Sequence, residues 1–118
     1  MWERRPWQGQ QAYSDTKLHD AMLAFAVARF WPDVLSNAVE PDWVATKMGG
    51  RGAPDDLDAG HRTQAWLAVG NDPNAIVTGK YFYHMQLRTP NRETYDPELQ
   101  EILLAECKRL SGVDLPAV

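Results

Sequence analysis

The sequence holds a single cysteine, Cys107. No internal disulfide framework and no cysteine-based zinc site can form from it. A reducing, cytoplasmic setting fits that usage. Histidine is also scarce: His19, His61 and His84 lie far apart and share no ligand spacing, so no metal site is expected. Long apolar runs are missing, and none approaches the roughly 18 residues that a membrane span requires. The segment Met1–Trp7 has no apolar core, which excludes a signal peptide there. Positive charge is in deficit, with 12 Lys and Arg against 16 Asp and Glu, a net charge of −4 and a pI near 5.2. With no basic stripe, neither a nucleic-acid surface nor an anionic-membrane surface is expected. Repeats and low-complexity segments are absent.

What is present reads as one domain of 118 residues, 44% hydrophobic and 24% charged. Residues 1–11, with Pro6 and Gly9, read as an extended lead-in. Residues 12–31 read as a helix ended by Pro32. Its run from Leu18 to Trp31 is apolar around most of its circumference, which predicts cover on two sides, the second from another subunit. Val34–Val39 reads as a buried strand and residues 40–53 as a loop. Pro54, followed by Asp55, Asp56 and Asp58, opens a second helix that Gly70–Pro73 stops. Ala75–His84, rich in β-branched and aromatic residues, reads as a second strand, and 86–95 as polar loop. Asp96–Pro97 caps a last helix whose expected buried stripe is Leu99, Ile102, Leu103, Cys107 and Leu110, with Gly112 at its end. The order is helix, strand, helix, strand, helix: an α/β layer with two strands, expected to be parallel.

Chemistry concentrates at the opening of the first helix. Tyr13 and Lys17 are four apart and so lie one turn above each other on one helical face. An ammonium beside a phenol favours the phenolate, one way to obtain a proton donor and acceptor near neutral pH. Elsewhere, Trp43 and Trp66 are the tryptophans best placed to line a pocket.

Four motifs in order resemble the C-terminal portion of the short-chain dehydrogenase/reductase family. Tyr13-Ser14-Asp15-Thr16-Lys17 matches the family's Tyr-x-x-x-Lys at the start of a long helix. Glu40-Pro41-Asp42-Trp43-Val44-Ala45-Thr46 is similar to its Pro-Gly-x-Val-x-Thr turn. Thr78-Gly79-Lys80-Tyr81-Phe82 is like the entry to its last strand. Leu110-Ser111-Gly112-Val113 closes the likeness, which runs over residues 12–116. The resemblance implies a Rossmann-like α/β layer and NAD- or NADP-linked hydride transfer at an alcohol or carbonyl. It makes Tyr13 the acid/base, and Lys17 the residue that holds the nicotinamide ribose. Pro41 would then pack beside the nicotinamide, with Val44 and Thr46 on the carboxamide and Trp43 and Trp66 near the substrate. It also implies a dimer or tetramer built on helices 18–31 and 54–69.

Other family features are not found in these residues. No glycine-rich turn follows a strand, as pyrophosphate binding requires; Gly49-Gly50-Arg51-Gly52 follows the Pro41 turn instead. Residues 1–12 contain no Ser or Thr to serve as the family's catalytic serine, and Asp42 stands where the turn has glycine. The expectation is a truncated, Rossmann-like domain that is inactive as an isolated chain. The alternative is a non-catalytic oligomeric remnant or a complementing subunit that binds no dinucleotide.

Overall fold

The computed structural model describes residues 6–40, 50–52 and 61–116. In chain order it has α1 (Gly9–Phe30), β1 (Ala38–Val39), α2 (Arg62–Val69), β2 (Tyr81–Tyr83), β3 (Gln86–Arg88), a 3-10 turn (Arg92–Tyr95) and α3 (Pro97–Ser111). The fold is the expected α/β layer. Its sheet has the order β1-β2-β3, with β1 parallel to β2 and β3 antiparallel to β2.

The lead-in is shorter than the sequence suggested, because α1 begins at Gly9. The side chain of Gln8 accepts from the Gln11 backbone N–H at 2.9 Å and so caps the helix. At the other end Trp31, just before Pro32, closes on the Val27 carbonyl. Met22, Phe25 and Ala26 bury one side of α1 against the 3-10 turn and α3.

Both strands are shorter than expected, for one reason. Residues 34–37 and 77–80 satisfy each other's polar groups through side chains before regular pairing starts. Ser36 N–H donates to Thr78 Oγ1 (3.0 Å), and Asn37 Nδ2 donates to the Val77 carbonyl (2.8 Å). The chain then turns at Gly79, whose φ of +70° is cheap only without a Cβ. Regular pairing follows, Ala38 with Tyr81 and Val39 with Phe82.

The expected loop at 86–95 holds a third strand and a 3-10 turn. The hairpin turn between β2 and β3 is His84-Met85, both at positive φ (49° and 61°). Such turns ordinarily announce themselves with Asn-Gly, which is absent here. Met85 N–H donates to Thr63 Oγ1 at 3.1 Å, docking the turn on α2.

The last helix keeps its predicted ends. Asp96 accepts from Glu98 N–H, and Gly112, at φ +73°, closes on the Lys108 carbonyl. Its buried face differs from the expected stripe. Leu103 is buried, but Ile102, Leu110 and Cys107 are exposed, and the most buried residue is Gln100. Gln100 Nε2 donates to the Thr94 carbonyl (2.9 Å), and its Oε1 accepts from Arg29 Nε (3.1 Å). This amide fixes α3 to both α1 and the 3-10 turn, so α3 rotates to bury it. Cys107 is therefore a surface thiol, contrary to the core position read from the sequence.

Candidate active site at the head of the first helix

The direction of β1 relative to α1 places the site. Ser36 Oγ donates to the Ala24 carbonyl at 2.7 Å, so the chain has already travelled back along α1 from its end near Trp31. A Cβ on Gly79 would lie 3.6 Å from the Ala28 Cβ, confirming that this side of the helix meets the sheet. Ser36 thus meets α1 well before its end, where the chain is heading back toward the head of the helix that carries Tyr13 and Lys17.

The helical period puts the pair on the same side. At about 100° per residue, Lys17 falls within roughly 20° of both Ala24 and Ala28, and Tyr13 is diametrically opposite Met22. Tyr13 and Lys17 therefore stand on the same side of α1 as Ala24 and Ala28, which meet the segments leading into β1 and β2. The two side chains pack on each other, with Lys17 Nζ 5.3 Å from the centroid of the Tyr13 ring. Tyr13 is 46% exposed, which leaves the phenol reachable from solvent.

The far side of α1 carries a different feature. A groove of about 750 Å³ runs along it, walled by Trp7, Leu18, Met22, Glu93 and Leu99. Neither Tyr13 nor Lys17 lines it. This groove thus lies on a different face of α1 from Tyr13 and Lys17.

A second tyrosine, not singled out from the sequence, opens the central strand β2. The Ser36 contact places Ser36, Ala38 and Glu40 on the α1 face of the sheet, since alternate residues share a face. The register Ala38–Tyr81 places Tyr81 on that face too. Burial first, then the neighbouring Glu40 carboxylate, push its phenol above the ordinary range, while Arg88 opposes them. No local motif could have revealed the pair, because Tyr81 and Glu40 are brought together only by the strand register.

Trp66 lies on the other face. Its ring packs edge-on against Phe82, with centroids 5.6 Å apart, and Phe82 is 1% exposed. Trp66 therefore serves as packing between α2 and β2. The remaining residues implied by the resemblance, Pro41, Trp43, Val44 and Thr46, lie outside the described residues, as does the start of the helix expected at 54. Among the described residues there is no cluster of metal ligands and no helix long and apolar enough to cross a membrane.

No protein-family model matches the chain, and no solved structure matches it. Curated proteins do. The chain is 39% identical over 114 residues to a protein named short-chain dehydrogenase from Penicillium rubens, covering 96% of this chain and 44% of that protein. It is 36% identical over 114 residues to another of that name from Gibberella zeae, with the same coverage. An uncharacterized oxidoreductase from Emericella nidulans is 38% identical over 107 residues, covering 89% of this chain and 42% of that protein. The chain thus spans less than half the length of these relatives.

Proposed function

The chain belongs to the short-chain dehydrogenase/reductase family, and from that premise we propose that it forms the proton-transfer side of an NAD- or NADP-dependent alcohol/carbonyl oxidoreductase. The observation that carries this reading is the stacked, exposed Tyr13–Lys17 pair near the head of α1. Tyr13 exchanges a proton with the substrate oxygen. Lys17 presents an ammonium with three donors, suited to the paired hydroxyls of a ribose, and it orients the phenol beside it. The dinucleotide, when bound, supplies the hydride chemistry.

These residues fit the nicotinamide end of such a cofactor. An accessible ammonium one helical turn from an accessible phenol offers the ribose and the substrate oxygen one group each. Pro41, Val44 and Thr46 complete that end by resemblance. The sequence offers no strand–glycine turn–helix unit for the pyrophosphate. Dinucleotide affinity of this chain alone is accordingly weak, with half-saturation at about 0.1–1 mM, and its turnover is low. Self-association belongs to the same reading. The groove between α1 and the 3-10 turn and α3, walled by Trp7, Leu18 and Leu99, leaves apolar surface that a second copy would cover.

Comparing NADPH-linked carbonyl reduction with assembly, for the chain and its Tyr13→Phe and Lys17→Ala variants, tests the proposal. Residual reduction should vanish in both variants while the sedimentation behaviour stays the same. Turnover that survives Tyr13→Phe would remove Tyr13 from the reaction. A stable assembly without dinucleotide affinity in any variant would favour the non-catalytic remnant.

A further inference from the structure

The chain after α3 returns to α1. Gly112 ends α3 in the left-handed region (φ +73°), with its N–H on the Lys108 carbonyl at 2.8 Å, and this turns the tail back across the helix. Side chains then hold it. Lys108 Nζ lies 2.8 Å from Asp114 Oδ2, and the Trp31 indole N–H donates to the Pro116 carbonyl at 3.0 Å. Between these points Leu115 is half-buried, while Asp114 and Pro116 are exposed. A residue before proline is biased to extended backbone, so Leu115 enters already extended. Beside the tail runs a cleft of about 510 Å³, walled by Phe30, Trp31, Leu104, Ala105 and Lys108. It is a different surface from the groove along Trp7 and Leu18.

We propose that this cleft between the end of α1 and α3 is a docking site for an extended acidic–apolar–proline segment, filled within one copy by its own tail and, between copies, by the tail of a second one. The inference does not rest on the oxidoreductase reading. The Lys108 ammonium takes the carboxylate, the apolar walls take the leucine, and the indole N–H takes the proline carbonyl. A second copy is the partner because it carries the same Asp114-Leu115-Pro116 segment that seats here. The grip is one that can be exchanged. The ion pair joins side chains that are 59% and 70% exposed, and such pairs hold weakly. The hinge leans on no neighbour, since a Cβ on Gly112 would meet nothing within 4 Å. A segment held at its far end by side chains can leave one copy and enter another through the same contacts. Tethering, at an effective concentration of about 1 mM, keeps the tail on its own copy in dilute solution.

Nuclear magnetic resonance of the Trp31 indole N–H, assigned by its loss in Trp31→Phe, tests the site. In the full chain carrying Leu115→Asp, the tail should leave the cleft and this resonance should shift, with the far-UV circular dichroism unchanged. An unlabelled Trp31→Phe chain, whose tail is intact and whose own cleft is weakened, is then added to the labelled Leu115→Asp chain. It should return the resonance toward its original position, half-maximally at about 1 mM. A peptide of residues 111–116 should do the same within about threefold. A chain carrying both Trp31→Phe and Leu115→Asp offers no such tail and should be at least about tenfold weaker. Raising salt to about 0.5 M should weaken the return, because the Lys108–Asp114 pair is screened. An indole resonance that ignores Leu115→Asp, or that neither the tail-bearing chain nor the peptide restores, overturns the proposal. So does an equal return with the double variant.

Discussion

Replacing Gln100 with leucine tests how α1, and with it the Tyr13–Lys17 pair, is held. Gln100 is 2% exposed and joins three elements: its Nε2 donates to the Thr94 carbonyl and its Oε1 accepts from Arg29 Nε. Leucine has nearly the same volume, so packing is conserved and the polar terms decide the outcome. Thr94 is itself 3% exposed, and its carbonyl would lose its donor where water is scarce. Such an orphaned buried acceptor costs about 1–3 kcal/mol. Arg29 is better placed. Its side chain is 37% exposed, and it keeps its ion pair with Glu101 at 2.9 Å, so water can replace the lost acceptor. The added apolar burial recovers part of the loss, which leaves a net destabilisation of about 1–2 kcal/mol. For a domain of 118 residues the entropy of unfolding is about 0.25 kcal/mol/K, so Tm should fall by about 4–8 °C. Thermal unfolding followed by far-UV circular dichroism measures this, and Arg29→Met should cost less than Gln100→Leu. An unchanged or higher Tm in Gln100→Leu would refute the claim that this amide is the joint between α3 and the rest.

Three further outcomes follow from the packing. Phe82→Ala should cost about 3–5 kcal/mol, because the ring is 1% exposed and leaves a cavity beneath Trp66; a loss under 1 kcal/mol in denaturant titrations would contradict its place in the core. Gly70→Ala should be destabilising by about 1–3 kcal/mol, because the new Cβ would sit 2.4 Å from the Trp66 carbonyl oxygen; loss of the near-ultraviolet signal of the Trp66–Phe82 pair would report the displaced end of α2. Stability should also depend on alkaline pH through Tyr81. Burial and then Glu40 raise its folded pKa above the unfolded value of about 10, so its contribution is fully present below that pH and lost as pH rises through the folded value. Urea midpoints between pH 9 and 11.5 should therefore fall more steeply for the unaltered chain than for Tyr81→Phe, and identical slopes would exclude the effect.

The parts of the fold that are local in cause were legible in the sequence. The first helix, its stop before Pro32, the Asp96–Pro97 start and the Gly112 end of the last helix all rest on residues within one turn of the boundary. The parallel pairing of two strands around a crossover also held. What failed depended on distant partners. The β-branched run Ile76-Val77-Thr78 has strand propensity, yet its polar groups bond to Val34, Ser36 and Asn37, and pairing begins only after Gly79. Gln100 looks like a surface residue until Arg29 and Thr94 are seen to meet it. The third strand was missed because its turn uses His84 and Met85 at positive φ without glycine. In the candidate site, Tyr13 and Lys17 could be paired from their spacing, because a helix converts spacing into contact. Tyr81 and Glu40 are 41 positions apart, and only the register of β1 on β2 brings them together.

The central claim is that Tyr13 and Lys17 form the nicotinamide end of a dinucleotide site. It is tested most directly by titrating the chain and its Lys17→Ala variant with NADPH and NADH, read by quenching of the five tryptophans and energy transfer to the reduced nicotinamide. The account predicts saturable binding of at least one dinucleotide to the unaltered chain and its loss in the variant. Saturation that is identical in the two chains, or none in either up to about 5 mM cofactor, would contradict it.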